Sequence, residues 1–375
     1  MDFAKSDIQT MLLDSAERLL ADTSGVEYWR EQRHNALGFD ETRWQQFAEL
    51  GWLALPVPEA AGGLDGTLED VALLNIALGK ALATEPYVST VVLATRILKS
   101  ASDGGRAAEL MSEIAGGSLR IALAYQEPGA DPLATEATNM IAIGDGEGFR
   151  LSGAKFMVAD AGSAANLIVS ARFEGQDGTA LFLVPADAAG VTIDRYPLID
   201  GTRAADLRLA DVTLPGDALL VGSNNGAAVL DEAIGHGIIA LMAQAVGSME
   251  ACLKICGQYT SERKQFGVAI GSFQAIQHIL ADMFVAAHQA RSMLYHAIAN
   301  STKAPAERAA ALSAARLVVG EAGQLVSRNG IQVHGGYGLT DEYAISHHFR
   351  RLLSLEKQYG DLARHTAAFG DSLFD

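Results

Sequence analysis

The chain is expected to fold as an α+β multidomain protein: an N-terminal helical domain over residues 1–118, a central β-barrel or sandwich over 119–222, and a C-terminal four-helix bundle over 223–375. Three observations point there. Apolar residues in the first part recur near the 3.6-residue helical period. From Leu119 the pattern changes to short alternating runs of Val, Ile, Leu and Phe, broken by Gly and Asp turns. After Gly222 helical periodicity returns and holds to the end. A helical bundle built from both ends around a β insert is the simplest packing of those layers.

In chain order, Asp7 to Ala21 places Ile8, Met11, Leu12, Ala16, Leu19 and Leu20 on one helical face. Asp40-Glu41 opens a helix that ends near Leu50-Gly51. The stretch Leu55-Pro56-Val57-Pro58-Glu59-Ala60-Ala61-Gly62-Gly63 is a loop, because Pro and Gly break the period. An apolar helix follows from about Leu68 to Ala83, another starts at Pro86, and a short one covers Ala107–Ala115. Strands are expected at 120–125, 139–143, 148–159, 167–173, 180–185, 191–197 and 206–209, a spacing typical of a barrel or sandwich. Long helices are expected at about 226–262, 272–299, 304–330 and 340–353, the last two separated by a Gly-rich turn at 335–338.

The chain has 375 residues, 49% hydrophobic and 19% charged, which suits two or three domains with a large core. No apolar run reads as long enough to span a bilayer. Met1–Asp7 lacks a basic and an apolar region, so a cytoplasmic location is the default expectation. A net charge of −17 disfavours nucleic acid and anionic membranes as partners. Cys252 and Cys256 are four apart on a helix, poor geometry for a disulfide and too few ligands for a metal. They read as buried thiols, and no metal site is expected.

Two stretches carry most of the functional information. One is Arg263-Lys264-Gln265-Phe266-Gly267, followed by Phe273-Gln274 and Leu280-Ala281-Asp282-Met283. The other is Gln332-Val333-His334-Gly335-Gly336-Tyr337-Gly338. Together they resemble the two C-terminal motifs of the acyl-CoA dehydrogenase family, tetrameric flavoenzymes that desaturate acyl-CoA thioesters. The helical–β–helical order is that family's architecture. Weaker matches extend the resemblance over nearly the whole chain: Glu49-Leu50-Gly51-Trp52 through Gly62-Gly63, Leu181-Phe182-Leu183-Val184 with Gly190-Val191, and Leu209-Ala210-Asp211-Val212 leading to Leu220-Val221-Gly222.

The resemblance implies FAD at a subunit interface, its adenosine and pyrophosphate half held by the neighbouring chain. Arg263 matches the arginine that meets the pyrophosphate, where a planar five-donor guanidinium suits the geometry. Phe266 matches an aromatic near the cofactor, Gln274 an amide near the adenosine half, and Gln332 another amide. Gly335 and Gly336 let backbone approach the phosphates with no Cβ in the way. Tyr125 matches a residue near the flavin ring. Taken singly, Arg263 reads as a solvated helix charge and the glycines as a turn; in register they read as a site.

The family's catalytic glutamate is missing. It removes the α-proton while the β-hydrogen leaves as hydride to flavin N5. Its usual place falls in Leu355-Glu356-Lys357-Gln358-Tyr359-Gly360-Asp361, where Tyr359 takes the ungapped position and Asp361 is the closest carboxylate. The alternative place, 26 residues before Arg263, is Gly237, followed by Ile238. Glu356, His236 and Glu232 lie near one or the other place, each with a plain structural reading as well. Tyr359, with a phenol pKa of about 10, would be a poor base at neutral pH.

The ring side differs too. The family's Thr-Glu-Pro-Gly-Ala-Gly-Ser-Asp segment is Gln126-Glu127-Pro128-Gly129-Ala130-Asp131 here, and its Trp-Ile-Thr is Met157-Val158-Ala159. This mix resembles the small-subunit branch, such as pimeloyl-CoA and steroid side-chain acyl-CoA dehydrogenase small subunits. Three main roles stay open: a subunit, in a homo- or hetero-tetramer with another acyl-CoA dehydrogenase chain, that takes part in acyl-CoA oxidation with electron-transferring flavoprotein as acceptor; a self-sufficient homo-oligomeric dehydrogenase in which Asp361 or Glu232 carries the proton; or a scaffold or regulatory subunit that binds no flavin. The Ala and Gly in 233–247 fit room for a bulky acyl group or, more plainly, close helix packing.

Overall fold

A computed structural model describes residues 5–22, 25–101, 105–136 and 139–374. Met1–Ala4, part of the segment read for a leader, lie outside the described residues. The helices are α1 (Asp7–Asp22), α2 (Val26–His34), α3 (Glu41–Glu49), α4 (Leu68–Lys80), α5 (Thr95–Leu98) and α6 (Arg106–Ala115). A π-helical segment, Tyr87–Ala94, leads into α5. The strands are β1 (Ile121–Ala124), β2 (Ile141–Asp145), β3 (Gly148–Ala159), β4 (Asn166–Phe173), β5 (Ala180–Pro185), β6 (Val191–Pro197), β7 (Arg203–Leu214) and β8 (Leu219–Val221). Then come α7 (Gly226–Glu262), the hairpin β9 (Lys264–Gln265) and β10 (Val268–Ala269), α8 (Gln274–Asn300), α9 (Pro305–His334), α10 (Ala344–Lys357) and α11 (Leu362–Asp371). The helical, β, helical order is the expected one.

The chain packs as two compact units. One comprises Gln32–Val71 and Thr84–Gly237. Its centre is an eight-stranded mixed sheet in the order β6-β7-β3-β2-β4-β5-β8, with β1 paired in parallel to β4. Leu167↔Val184 and Val169↔Phe182 set the β4–β5 register. These side chains meet Leu151, Leu207, Leu209 and Val212 in one buried core. Phe149, Phe173 and Phe182 pack there with ring centroids 5.2–5.8 Å apart. Beside the sheet, a buried bidentate ion pair joins Arg43 and Glu85 at 2.6 and 2.7 Å, and Tyr87 donates its hydroxyl to the Trp52 carbonyl.

The other unit comprises Met1–Glu31, Ala72–Ala83 and Ile238–Asp375. Here α4 and α7 approach at glycines. A Cβ on Gly247 would stand 1.9 Å from the Ile76 carbonyl oxygen, and one on Gly79 would stand 2.1 Å from that of Gln244. The Gln244 amide donates to Asn75 Oδ1 at 3.0 Å in the same buried seam. In this stretch of α7 the small residues serve close helix packing, the plainer of the two sequence readings.

Two helices do reach bilayer length and apolarity, contrary to the sequence expectation: Gly226–Glu262 and Pro305–Leu339. Their most apolar windows are 72% and 50% buried inside the fold, as core helices are. Cys252 and Cys256 are buried free thiols, and burial raises both pKa values, Cys256 to about 12. Among the described residues no cluster of His, Cys, Asp or Glu could hold a metal ion.

Candidate functional site

The C-terminal motifs gather around the end of α7. Arg263 follows its last turn, its N–H bonded to the Tyr259 carbonyl at 2.8 Å. The hairpin after it pairs Gln265 with Val268, leaving Phe266-Gly267 as a two-residue turn. Both turn residues have positive φ, +53° and +86°. That combination defines a type I′ hairpin turn. Glycine takes it freely; phenylalanine in the left-handed region costs about 1–3 kcal/mol. Phe266 is 92% exposed and its ring meets that of Phe273 edge-on, with centroids 6.2 Å apart. Phe273 caps α8, so Gln274 stands at its first turn.

Gln332 lies in the last turn of α9, and Gly335 ends that helix with φ +61° and ψ −143°, a conformation glycine supplies. An aromatic stack bridges this turn to α7. Tyr259 lies 4.2 Å from His334 and 6.5 Å from Tyr337, and Tyr343 lies 4.6 Å from Tyr337. The His334 Nδ1–H donates to the Gly330 carbonyl at 2.7 Å, and burial lowers its pKa. Burial first, then the neighbouring Tyr337, raises that of Tyr343. Tyr259 and Tyr343, which motif reading did not pick out, stack with the motif's His334 beside the candidate site. Their signal was an aromatic one helical turn before Arg263 and others flanking the diglycine.

Arg263, Gln274 and Gln332 are all exposed. Among the described residues, none of their side chains has a hydrogen-bond or ion-pair partner in the chain. A Cβ on Gly335 or Gly336 would meet nothing within 4 Å. Gly336 has no positive φ, so neither its backbone nor its packing within the chain requires glycine.

The segment expected to hold the base is a fixed turn. The Arg316 guanidinium is buried and donates to the carbonyls of Leu355 and Gln358. Tyr359 and Gly360 have φ of +55° and +92°. The Nε2–H of His365 donates to the Tyr359 carbonyl at 3.0 Å, and Nδ1 faces the Ser313 hydroxyl at 3.3 Å. The Asp361 carboxylate is the N-cap of α11, accepting from the Arg364 N–H at 3.0 Å, with Lys357 3.6 Å away. That backbone hydrogen bond, aided by Lys357, lowers its pKa and weakens it as a base. Glu356 is buried and accepts from the Leu362 N–H at 3.0 Å.

At the alternative place, a Cβ on Gly237 would meet Leu93 Cδ2 at 2.7 Å. Nearby Glu232 pairs with Arg96.

The ring-side residues lie in the β unit. Tyr125 is buried and donates its hydroxyl to the Pro132 carbonyl at 2.8 Å. Beneath it Lys155, fully buried, donates to Glu127 at 2.8 Å, to Ser170 at 2.9 Å and to the Tyr125 carbonyl at 3.2 Å. Burial pulls the Lys155 pKa down to about 8 against the opposing pull of Glu127. Met157, at a bulge of β3, has φ +53°, and its N–H is held by Asp206 at 3.0 Å. Ala159 ends that strand and offers no hydroxyl.

Comparison with known proteins decides the family. Residues 6–117, 121–212 and 224–373 match the N-terminal, middle and C-terminal domains of acyl-CoA dehydrogenase. A probable acyl-CoA dehydrogenase of Bacillus subtilis, YngJ, is 30% identical over 83% of this chain and 84% of its own. The chain belongs to the acyl-CoA dehydrogenase family. Acyl-CoA dehydrogenase IpdE2 of Mycolicibacterium smegmatis is 29% identical over 92% of each chain. Among solved structures, a variant of the steroid ACAD Tcur3481–Tcur3483 superposes with a TM-score of 0.89 at 30% identity, covering 98% of both chains. The ChsE4–ChsE5 complex of Mycobacterium tuberculosis gives 0.90 at 24% identity, a likeness of fold.

The family consists of FAD-binding oxidoreductases, and FAD is the cofactor of this fold. The C-terminal groups fit it. A guanidinium and two carboxamides without partners among the described residues suit a pyrophosphate and an adenosine, and the open side of Gly335-Gly336 leaves backbone approachable by phosphate oxygens.

Proposed function

We propose that this chain is a subunit of an FAD-dependent acyl-CoA dehydrogenase that supplies an adenosine half-site and leaves proton abstraction to a partner. Bound FAD supplies the hydride acceptor at N5 for α,β-desaturation of an acyl-CoA thioester. Arg263 binds the pyrophosphate, Gln274 and Gln332 orient the adenosine half, and Gly335 and Gly336 admit the phosphates. Phe266 covers the cofactor edge. Another acyl-CoA dehydrogenase chain, the second kind in a hetero-tetramer, holds the flavin ring. Electron-transferring flavoprotein takes the electrons.

The observation that carries this is a contrast. The three polar groups of the half-site are unengaged, whereas the carboxylates near each base position already serve the fold. Asp361 caps a helix, Glu356 holds the next turn, and Glu232 sits in an ion pair. A proton acceptor must reach the substrate, and each of these carboxylates is already held by a structural partner. Structural neighbours support the pairing: one is the ChsE4–ChsE5 complex and another is the steroid ACAD Tcur3481–Tcur3483.

The test is to assay acyl-CoA oxidation with an artificial acceptor, using the pure chain and the chain mixed with candidate partner dehydrogenases. Flavin binding and turnover only in the mixture are expected. Brisk turnover by the chain alone would defeat the partner-base reading. A mixture that turns over while this chain's Arg263→Ala variant keeps full flavin occupancy would favour the flavin-free scaffold.

A further inference from the structure

The β unit holds a small cavity that none of the groups assigned to the cofactor touches. Its volume is about 250 Å³. At ~30 Å³ per water that is room for about eight waters, far less than a nucleotide or coenzyme needs. Leu68, Val71 and Val92 form an apolar wall, and Thr95, Lys99 and His236 also line the space.

The polar lining is unevenly satisfied. Arg96, also at the rim, is neutralised by its ion pair with Glu232. Thr95 is 1% exposed, and its hydroxyl has no hydrogen-bond partner among the described residues. A buried hydroxyl left so costs about 1–3 kcal/mol. Lys99 makes no ion pair among the described residues. Burial lowers its pKa, Asp65 opposes this, and Arg96 adds to it. An anion at this place would oppose both burial and Arg96 and give the hydroxyl an acceptor.

We propose that this cavity binds a short-chain organic carboxylate, with its charged end on Lys99 and Thr95 and its hydrocarbon part against Leu68, Val71 and Val92. The amphipathic lining selects the class. A bare inorganic anion would leave the apolar wall unused, and an uncharged acid amide would leave the ammonium unpaired. The site is independent of the flavin reading, since Arg263, Gln274, Gln332, Gly335 and Gly336 are absent from its lining.

The experiment is calorimetric titration of the full chain with butyrate, glutarate, butyramide and inorganic phosphate. Saturable binding of butyrate or glutarate is expected, with butyramide and phosphate weaker by about tenfold or more. Lys99→Gln and Thr95→Val should each weaken the carboxylate by about tenfold. Lys99 is exposed on its outer side, so its variant should fold normally. Arg263→Ala should bind unchanged, which separates this site from the cofactor site. Phosphate binding as tightly as butyrate, unaltered binding by Lys99→Gln, or no saturable heat from either carboxylate would overturn the proposal.

Discussion

Gly336→Ala is the sharpest probe of the half-site, because the fold places almost no demand on it. Its φ is not positive, and an added Cβ meets nothing within 4 Å. The substitution should therefore change stability by no more than about 0.5 kcal/mol, the range of surface changes away from special features. A methyl group there occupies the space a phosphate oxygen would need. Losing one charge-assisted contact of about 1.5–3 kcal/mol implies a loss in FAD affinity of roughly tenfold to a hundredfold. Gly335→Ala is the contrasting control. Its φ of +61° with ψ −143° suits glycine alone, so alanine should cost about 1–3 kcal/mol of stability as well. The assay pairs urea denaturation of the chain with flavin absorbance per protein in the reconstituted oligomer. A Gly336→Ala protein with unchanged stability and unchanged flavin content would refute the argument that this glycine is kept for a ligand.

Three other outcomes follow from the structure. His348 and His365 are buried and held neutral, with pKa values lowered to about 3 and about 4 by burial foremost. Between those values and 6.5 the unfolded chain binds more protons, so stability is full above pH 6.5 and drains as pH falls. At pH 5 each group should cost about 2 kcal/mol, and equal urea midpoints at pH 7 and pH 5 would contradict this. Phe266→Asn makes the hairpin turn Asn-Gly, the preferred type I′ pair, and should raise the chain's stability by about 1 kcal/mol while weakening flavin binding in the oligomer. A thermal melt that moves down would count against the turn assignment. Gly247→Ala drives a methyl group onto the Ile76 carbonyl and should destabilise by about 1–3 kcal/mol; a neutral result by denaturant titration would mean that the α4–α7 seam is looser than described.

Much of the architecture was legible because burial imposes periodicity. Strands β3, β5 and β6 and helix α7 begin and end where alternation and Gly breaks place them. Strand β7 was read as 206–209 but runs Arg203–Leu214. Small Ala204 and Ala205 and a left-handed Asp211 interrupt its pattern. Helices α2 and α11 escaped notice because each buries little: Trp29 and Gln32 in one and His365 in the other. The β9–β10 hairpin was hidden by its two-residue strands, both largely exposed, and β8 by its length of three. The π-helical segment depends on hydrogen-bond register, which composition does not encode.

Site legibility divides in the same way. Residues that face outward, such as Arg263 and Gln274, were recognisable by type and spacing. The aromatic stack around His334 and the lock on the Tyr359-Gly360 turn are formed by residues distant in sequence, which no local pattern joins. Lys155 was not picked out at all; only its three buried acceptors reveal its role.

The two glycine contacts along α7 differ in hardness. At Gly247 the obstacle is a peptide carbonyl, which yields only if a whole helix shifts; at Gly237 it is the tip of a leucine, which can rotate or be trimmed. The first fixes a spacing that drift cannot easily alter. The second is a soft obstacle: Leu93→Ala would clear the space that a larger side chain at 237, such as that of Gly237→Glu, would need.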